Sequence, residues 1–215
     1  MSRPFFDLSF YLVLDPELCG GADGMVETAR LAAQSGATLV QLRAPGWKKR
    51  ALVECARALK RVLSPLSVPL IIDDDADVCL AADADGLHVG QLDLEVHDAR
   101  SLIGPDRLLG LSITRFEELA LVDEAVVDYL GVGPVLATTT KRDAAAAMGF
   151  EGLAAVAAAT ALPCVAIGGI KPRHAARVFA SGARGLAVVS AVCGQPDPAA
   201  AAAMLHGTIQ HCLRG

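Results

Sequence analysis

The chain has 215 residues with 19 basic and 24 acidic side chains, which gives a formal net charge of −5 at pH 7. This balance excludes the strongly basic character of a nucleic-acid-binding domain. The length is sufficient for a sizeable core. Hydrophobic residues make up 53% of the chain but aromatic residues only 4%, which indicates helices packed through small side chains rather than a disordered chain.

Six cysteines are scattered singly, without a CxxC pair or zinc-type Cys/His spacing. We therefore expect free thiols in a reducing cytoplasm. Asp7 interrupts the apolar N-terminal stretch, so no signal peptide is expected. Residues 152–170 carry no charge and are long enough to cross a membrane, but Pro163 divides them. We expect a helix and then a strand there, in a soluble cytoplasmic protein without membrane contact.

Short apolar runs alternate with segments of helical periodicity along the chain. The runs predict strands at 10–15, 38–44, 68–74, 86–90, 108–113, 129–135, 163–169 and 185–192. Helices are predicted at 25–36, 48–63, 76–83, 94–103, 115–126, 150–160, 172–181 and 198–212. Gly36 is a C-cap signal, and Pro172 and Pro198 suit a first helical turn.

Apolar strands that alternate with helices indicate a parallel sheet buried on both faces. Eight such units close naturally into a (β/α)8 TIM barrel, so we predict one α/β TIM-barrel domain over residues 1–215. A doubly wound open sheet is the alternative fold. Active sites of TIM barrels lie at the carboxyl ends of the strands, which makes those positions the candidates for function.

Acidic residues follow the third and fourth predicted strands. Asp73, Asp74 and Asp75 end the third strand, and Asp93 lies just beyond the fourth. Because neighbouring strands lie about 4.8 Å apart, the carboxylates of Asp74 and Asp93 can share one cation. Their hard oxygen ligands predict a Mg²⁺ site. N-capping of the following helices is the alternative role, and it is the role that we predict for Asp75.

Polar and small residues after the other strands predict two phosphate sites. The loop 138–141, TTTK, offers hydroxyls and one ammonium, and Gly168 and Gly169 let a backbone approach a ligand. Neither motif is specific alone, because loop lysines are commonly solvated and glycine is common in turns. A cation with Arg43 marks one site, and backbone N–H groups after strands seven and eight mark the other.

His88 lies inside a strand and is predicted to be a hydrogen-bonded core histidine.

Six motifs resemble, in order and spacing, those of the thiamine phosphate synthase family: QLR (41–43), PLIIDD (69–74), GLHVGQLD (86–93), YLGVGPVLATTTKRDA (129–144), VAIGGI (165–170) and GLAVVSAV (185–192). The resemblance covers nearly the whole chain. It implies a transferase of thiamine biosynthesis that joins 4-amino-5-hydroxymethyl-2-methylpyrimidine diphosphate to thiazole phosphate and releases diphosphate. The bond to diphosphate breaks with carbocation character, the thiazole nitrogen attacks the methylene, and Mg²⁺ stabilises the leaving charge.

The resemblance also implies roles for individual residues. Asp74 and Asp93 match the metal ligands of the family. The residues that match contacts to the pyrimidine diphosphate are Gln41, Arg43, Ser112 and Lys141, of which Arg43, Ser112 and Lys141 are assigned as catalytic. The residues that match contacts to the thiazole substrate and its phosphate are Thr138, Thr140, Gly169, Val189 and Ser190.

Three positions at the barrel mouth depart from the family pattern. Pro45 stands where Lys is common, Asp73 where Asn is common, and Asp75 where Arg is frequent. Together they make the barrel mouth roughly four charge units more negative than the family pattern, which is expected to weaken anion binding. Lys48 or Lys49 is a candidate replacement for the missing lysine. Asp73 is hypothesised to accept a hydrogen bond from the pyrimidine amino group in place of Asn.

Other functions stay open at this point. Pro45 and Asp73 favour a thiazole tautomerase-like isomerase that shares only the thiazole phosphate site, whereas Asp74, Asp93 and the TTTK loop argue against it. A non-catalytic thiazole phosphate-binding homologue and another phosphate-handling barrel enzyme are further alternatives. The expected partners are small-molecule substrates, without nucleic acid or membrane, and the sequence leaves open whether the chain forms a homodimer.

Overall fold

Parallel strands form a closed barrel in the computed structural model, which describes residues 5–138 and 145–214. The strands of this part of the chain are β1 Phe10–Leu14, β2 Leu39–Leu42, β3 Leu70–Asp73, β4 Gly86–Val89, β5 Leu108–Ile113, β6 Tyr129–Val132, β7 Cys164–Ala166 and β8 Gly185–Val188. Each strand pairs with the next, and β8 also pairs with β1, where Leu186 lies opposite Phe10. The predicted TIM barrel is confirmed and the open sheet is wrong, because an open sheet would leave two unpaired edges.

Helices follow the strands and form the outer layer. They are α1 Pro16–Cys19, α2 Ala22–Gln34, α3 Lys49–Leu63, α4 Ala76–Ala81, α5 Val96–Ile103, α6 Gly149–Ala158, α7 Ala175–Ala180 and α8 Pro198–Arg214. The C-terminus of α2 forms a Schellman motif, in which the N–H of Ala37 donates to the carbonyl of Ala32 at 2.9 Å. Gly36 has a φ of 106° there, so the predicted C-cap signal is confirmed.

The segment after β5 differs from its predicted helix. Residues 115–126 were expected to form an α-helix, but Phe116–Leu121 form a 3₁₀-helix. The buried carboxylate of Glu118 accepts hydrogen bonds from the backbone N–H groups of Thr114 at 2.7 Å and Arg115 at 3.2 Å. These bonds draw the start of the segment into a tight turn, and hydrophobic periodicity carries no information about them.

Side chains of the strands alternate between the barrel interior and the helix layer. The inward-facing apolar set includes Tyr11, Val13, Leu39, Ile71, Leu108, Tyr129, Val165 and Ala187. Outward-facing residues such as Leu12 and Val40 pack against the helices in the larger core. Positions two or four residues beyond an inward-facing residue also point inwards. This alternation brings the side chains at 41, 43, 73, 112 and 189 to the mouth of the barrel.

The thiols and the uncharged segment agree with the sequence-based expectations. All six cysteines are free, and four of them are buried. Residues 152–170 contain most of α6 and the whole of β7. Within the two described ranges, the structure has no helix that combines the length and the apolar character needed to cross a membrane.

Candidate active site

Two carboxylates meet at the carboxyl ends of β3 and β4. Asp74 follows β3 with a φ of 58°, a left-handed conformation that turns the chain out of the strand. Its N–H donates to the carbonyl of His88 at 2.8 Å. Asp93 lies in the turn after β4, where its Oδ2 accepts the N–H of Gly90 at 2.9 Å. The carboxyl group of Asp93 lies close enough to Asp74 to contribute to the raised pKa of Asp74.

The carboxylates around Asp74 create negative charge that the neighbouring side chains do not fully neutralise. Partial loss of hydration, followed by the carboxylates of Asp73 and Asp93, raises the pKa of Asp74 to about 7, and the guanidinium of Arg43 opposes this rise. Mutual repulsion of carboxylates is a feature that a bound cation would compensate.

The donor set fits Mg²⁺ better than a transition metal. Within residues 5–138 and 145–214, no group of three or more His, Cys, Asp or Glu side chains is arranged to hold a metal ion. A cation on Asp74 and Asp93 would therefore take its remaining ligands from water and from a substrate phosphate. Mg²⁺ commonly binds in this way, through one or two carboxylates and several waters.

Arg43 and Asp73 form an ion pair beside Asp74 and Asp93, which are called the acid pair below. The Nε of Arg43 lies 3.2 Å from Oδ2 of Asp73, and both side chains are about four-fifths buried, with exposed fractions of 21% and 17%. The positions follow from strand alternation, because both residues continue the inward-facing series of their strands. Part of the positive charge of Arg43 is therefore neutralised by a residue of the chain itself.

Asp75 binds a lysine rather than a helix N-terminus. It occupies the N-cap position of α4, but its side chain makes no capping hydrogen bond. Its carboxylate instead pairs with the ammonium of Lys49, which also contacts Asp77 at 3.0 Å. The predicted capping role of Asp75 is thus wrong. Lys49 is engaged by α4, so the structure gives no support to Lys49 as a replacement for the missing lysine.

Capping by Asp93 is likewise excluded. The N-cap residue of α5 is Glu95, whose Oε2 accepts the N–H groups of His97 at 2.8 Å and Asp98 at 3.4 Å. The turn that carries Asp93 is tied to β5, because the amide of Gln91 donates to the carbonyl of Ser112 at 2.8 Å.

A chain of polar side chains crosses the barrel interior below the mouth. The Nε2 of Gln41 donates to the hydroxyl of Tyr11 at 2.9 Å, and this hydroxyl lies 3.0 Å from that of Tyr129. The hydroxyl of Tyr129 is 3.1 Å from Nδ1 of His88, whose Nε2 is 2.9 Å from Oγ of Ser112. The predicted core histidine is confirmed, and the chain joins Gln41 on β2 to Ser112 on β5.

Two glycines make room for this chain. A Cβ at Gly110 would overlap the ring of Tyr129 and Nδ1 of His88. A Cβ at Gly131 would lie 2.9 Å from Cε1 of His88, closer than carbon atoms pack. The glycines of LLGLSI and YLGVGP are therefore required by their cross-strand neighbours and not by a turn.

The opposite side of the mouth is built from the ends of β6, β7 and β8. Gly168 and Gly169 have φ values of 90° and 67°. A Cβ at Gly169 would lie 2.7 Å from the carbonyl oxygen of Ala137, and Leu136 donates its N–H to the carbonyl of Gly168 at 3.0 Å. The glycine turn thus packs directly on the segment that leads to Thr138, while Thr140 and Lys141 lie outside the described residues.

Lys171 is a cation that the sequence analysis missed at this side. Its Nζ donates to Oγ of Ser190 at 2.8 Å, next to Val189 at the end of β8. Lys171 is partly buried, and no carboxylate in the described part of the chain pairs with it. A partly buried ammonium without a counter-ion, beside a hydroxyl and a glycine turn, is suited to an anion. Its position directly after the GGI motif (168–170) is the sequence feature that could have identified it.

The polar chain was missed for a different reason. The sequence has only two tyrosines, Tyr11 and Tyr129, and both lie in apolar runs where a bulky core residue is the ordinary interpretation. Their hydroxyls meet because β1 and β6 contribute side chains to the same level of the interior. Such a meeting depends on barrel closure and has no local signature.

The chain is similar over nearly its whole length to known proteins of one family. A family profile described as thiamine monophosphate synthase matches residues 10–192. The thiamine-phosphate synthase of Laribacter hongkongensis is 51% identical over 209 residues, covering 97% of this chain and 99% of the relative. That of Xanthobacter autotrophicus is 52% identical, with coverage of 97% and 98%. Among solved structures, thiamine phosphate pyrophosphorylase from Pyrococcus furiosus superposes with a TM-score of 0.86 at 32% identity, covering 96% of this chain and 97% of the other.

Proposed function

Because the chain belongs to the thiamine monophosphate synthase family, we propose that it condenses 4-amino-5-hydroxymethyl-2-methylpyrimidine diphosphate with thiazole phosphate. The products are thiamine phosphate and diphosphate. The assignment as a thiamine phosphate synthase follows from the similarity of the chain to its relatives. The two named substrates are the part of the proposal that needs an assay. The thiazole tautomerase-like isomerase and the non-catalytic homologue are not favoured, because relatives with about half of their residues in common are synthases.

The observation that carries the proposal is the placement of two separate groups of polar residues at one barrel mouth. The acid pair with Arg43 lies at β3 and β4, and the glycine turn with Lys171 and Ser190 lies at β7 and β8. In a closed barrel of eight strands these positions face each other across the mouth. Two phosphorylated substrates bound there would direct their reacting atoms towards the centre, which is the geometry that a condensation requires.

On the acid side, we assign Asp74 and Asp93 as the residues that hold Mg²⁺. Bound there, the ion supplies charge stabilisation to the departing diphosphate. Arg43 and Ser112 donate hydrogen bonds to this substrate, with Lys141 as the predicted third donor, and Gln41 orients its ring. The positive side chains keep the leaving group in place while the methylene carbon becomes electron-deficient.

On the glycine side, Gly169, Val189, Ser190 and Lys171 hold the phosphate of the thiazole substrate. The left-handed turn at Gly169 leaves no room for a side chain, so the backbone itself lines the site. Thr138 and Thr140 are assigned to the thiazole ring. This side has no predicted part in breaking the diphosphate bond, because its task is to aim the ring nitrogen at the methylene carbon.

One assay tests the proposal directly. Diphosphate release is measured with both substrates, with each alone, and with or without Mg²⁺. Release that needs both substrates and the metal supports the transferase. Metal-independent conversion of the thiazole would support the isomerase, and binding without turnover would support the non-catalytic homologue. Homodimer formation and a cytoplasmic location stay predictions, which light scattering and cell fractionation would check.

A further inference from the structure

We propose that the buried chain Gln41–Tyr11–Tyr129–His88–Ser112 has a fixed direction that leaves the hydroxyl proton of Ser112 free to be donated into the barrel mouth. Tyr11, Tyr129 and His88 are then positioning residues, because in this proposal they act through the hydroxyl of Ser112. The proposal deepens the proposed function, because the group at the mouth that would receive this proton is an anionic oxygen of the diphosphate substrate.

The direction is set at the Gln41 end. The Nε2 of Gln41 has only protons to offer, so the hydroxyl oxygen of Tyr11 accepts at 2.9 Å. The proton of Tyr11 is then donated to the oxygen of Tyr129 at 3.0 Å. Tyr129 in turn donates its own proton to Nδ1 of His88 at 3.1 Å. Each hydroxyl thereby accepts one bond and donates one.

The same order fixes the tautomer of His88. A neutral imidazole whose Nδ1 accepts a hydrogen bond carries its proton on Nε2. That N–H donates to Oγ of Ser112 at 2.9 Å. Ser112 therefore accepts inside the barrel and keeps its own proton for the mouth, where its side chain is partly exposed. If the hydrogen bonds ran in the opposite direction, Ser112 would donate its proton to His88. Only the lone pairs of its oxygen would then face an anion.

Burial keeps this series of hydrogen bonds in one direction. Tyr11 and Tyr129 are 2% and 0% exposed, while Gln41 and His88 are 4% and 8% exposed, so water has little access to exchange with these bonds. Burial also raises the pKa of both tyrosines well above its ordinary value, so the two phenols stay protonated as the chain requires. Gly110 and Gly131 hold the rings of Tyr129 and His88 at this level, since any side chain there would displace them.

The first test is spectroscopic and uses no substrate. In the full-length protein with ¹⁵N-labelled histidine, the long-range ¹H–¹⁵N pattern of His88 reports which nitrogen carries the proton, and His88→Gln assigns the signal. The expected result is a proton on Nε2 in the wild type and a mixture of tautomers in Tyr129→Phe. A proton on Nδ1 in the wild type, or an unchanged pattern in Tyr129→Phe, overturns the proposal.

The second test compares two variants that each remove one buried phenol hydroxyl. Tyr129→Phe cuts the bond to His88, whereas Tyr11→Phe leaves it in place. We expect kcat to fall on the order of 10- to 100-fold in Tyr129→Phe, the usual effect of losing a group that orients a ligand-contacting side chain. Tyr11→Phe keeps the bond to His88 but cuts the relay from Gln41, so its kcat should fall less than that of Tyr129→Phe, while His88 should again show a mixture of tautomers. Both variants should lose similar thermal stability, and a wild-type tautomer in Tyr11→Phe contradicts a direction set by Gln41. Equal losses of kcat in the two variants contradict the proposal.

A conservative replacement of His88 completes the experiment. The amide N–H of Gln lies near the position of the ring Nε2, so His88→Gln should keep more kcat than His88→Met at similar stability. Equal kcat values in these two variants contradict the positioning role. If no variant and no wild-type sample forms thiamine phosphate while His88 shows the expected tautomer, the proposed function fails and the hydrogen-bond direction stands.

Discussion

The guanidinium of Arg43 is held 3.2 Å from the carboxylate of Asp73 inside the barrel mouth. This pair explains how the chain tolerates an aspartate where its family commonly has asparagine. The carboxylate does not stand unpaired beside Asp74. A diphosphate that binds Arg43 would have to compete with it, so we predict that Asp73 weakens anion binding. Its hypothesised bond to the pyrimidine amino group stays a prediction.

Replacing Asp73 by Asn should improve substrate binding. The substitution releases Arg43 and removes one negative charge next to Asp74. We expect the KM for the pyrimidine diphosphate to fall about 2- to 5-fold, which corresponds to ~0.4–1 kcal/mol for a partly exposed ion pair, with kcat unchanged or raised. Steady-state kinetics measure both. Asp83→Asn is the matched control, because it removes the same charge at the opposite end of the barrel, where Asp83 pairs with Arg107. A large loss of kcat in Asp73→Asn would show that the aspartate has a role of its own.

Mg²⁺ should stabilise the protein through Asp74 and Asp93, independently of turnover. A melting temperature that rises with added Mg²⁺ is expected in the wild type and not in Asp74→Asn or Asp93→Asn. Asn tolerates the left-handed φ of position 74, so the first variant is expected to fold. The same two variants should lose ~10²–10³-fold in kcat. Asp75→Asn is the neighbouring control, and it should respond to Mg²⁺ as the wild type does.

The Mg²⁺ effect should depend on pH in a defined direction. The pKa of Asp74 is raised to about 7 without metal, so the folded protein holds this proton more tightly than the unfolded chain does. Protonated Asp74 therefore contributes its full stabilisation below about pH 4, the ordinary pKa of an aspartate in the unfolded chain. This contribution is lost as the pH rises through 7. Mg²⁺ needs the deprotonated carboxylate, so its shift of the melting temperature should be larger at pH 8 than at pH 5.5. An equal shift at both values would remove Asp74 from the metal site.

Lys171→Gln should weaken only the thiazole side. Loss of the ammonium next to Ser190 is expected to raise the KM for thiazole phosphate about 10- to 100-fold, the effect of losing a charged hydrogen bond of ~1.5–3 kcal/mol. The KM for the pyrimidine diphosphate should not change. Thiazole alcohol, which lacks the phosphate, serves as the control substrate, and its kcat/KM should be the same in variant and wild type. A parallel loss with the alcohol would mean that Lys171 shapes the barrel rather than binds phosphate.

Gly110→Ala should destabilise the barrel from inside. The added methyl group overlaps Tyr129 and His88, and both of these side chains are buried. We expect the free energy of unfolding to fall by about 1–3 kcal/mol, as measured by urea denaturation. Gly207→Ala is the control, since a Cβ on α8 at that position meets nothing within 4 Å. It should raise stability by ~0.5–1 kcal/mol. Equal effects of the two substitutions would show that the interior accommodates the extra methyl group.

The sequence by itself determined the fold and the order of the elements, and it predicted site residues at the strand ends. Hydrophobic periodicity located all eight strands, and the strand ends pointed to Asp74, Asp93, Arg43 and Ser112. The strand predictions succeed because strand alternation is a local property: a side chain two residues beyond a buried one faces the same way. Likewise, Gly36 ends α2 through backbone geometry that a single residue type favours.

Only the tertiary structure decided which of these side chains bind each other. Asp75 was predicted to cap α4, yet its carboxylate binds Lys49 from α3, and Asp73 binds Arg43 from β2. Lys171 meets Ser190 across 19 positions of sequence, and the hydroxyls of Tyr11 and Tyr129 meet across 118. Such pairs exist because barrel closure brings strands that are far apart in the chain around one interior, and their energies depend on distances that no sequence window contains.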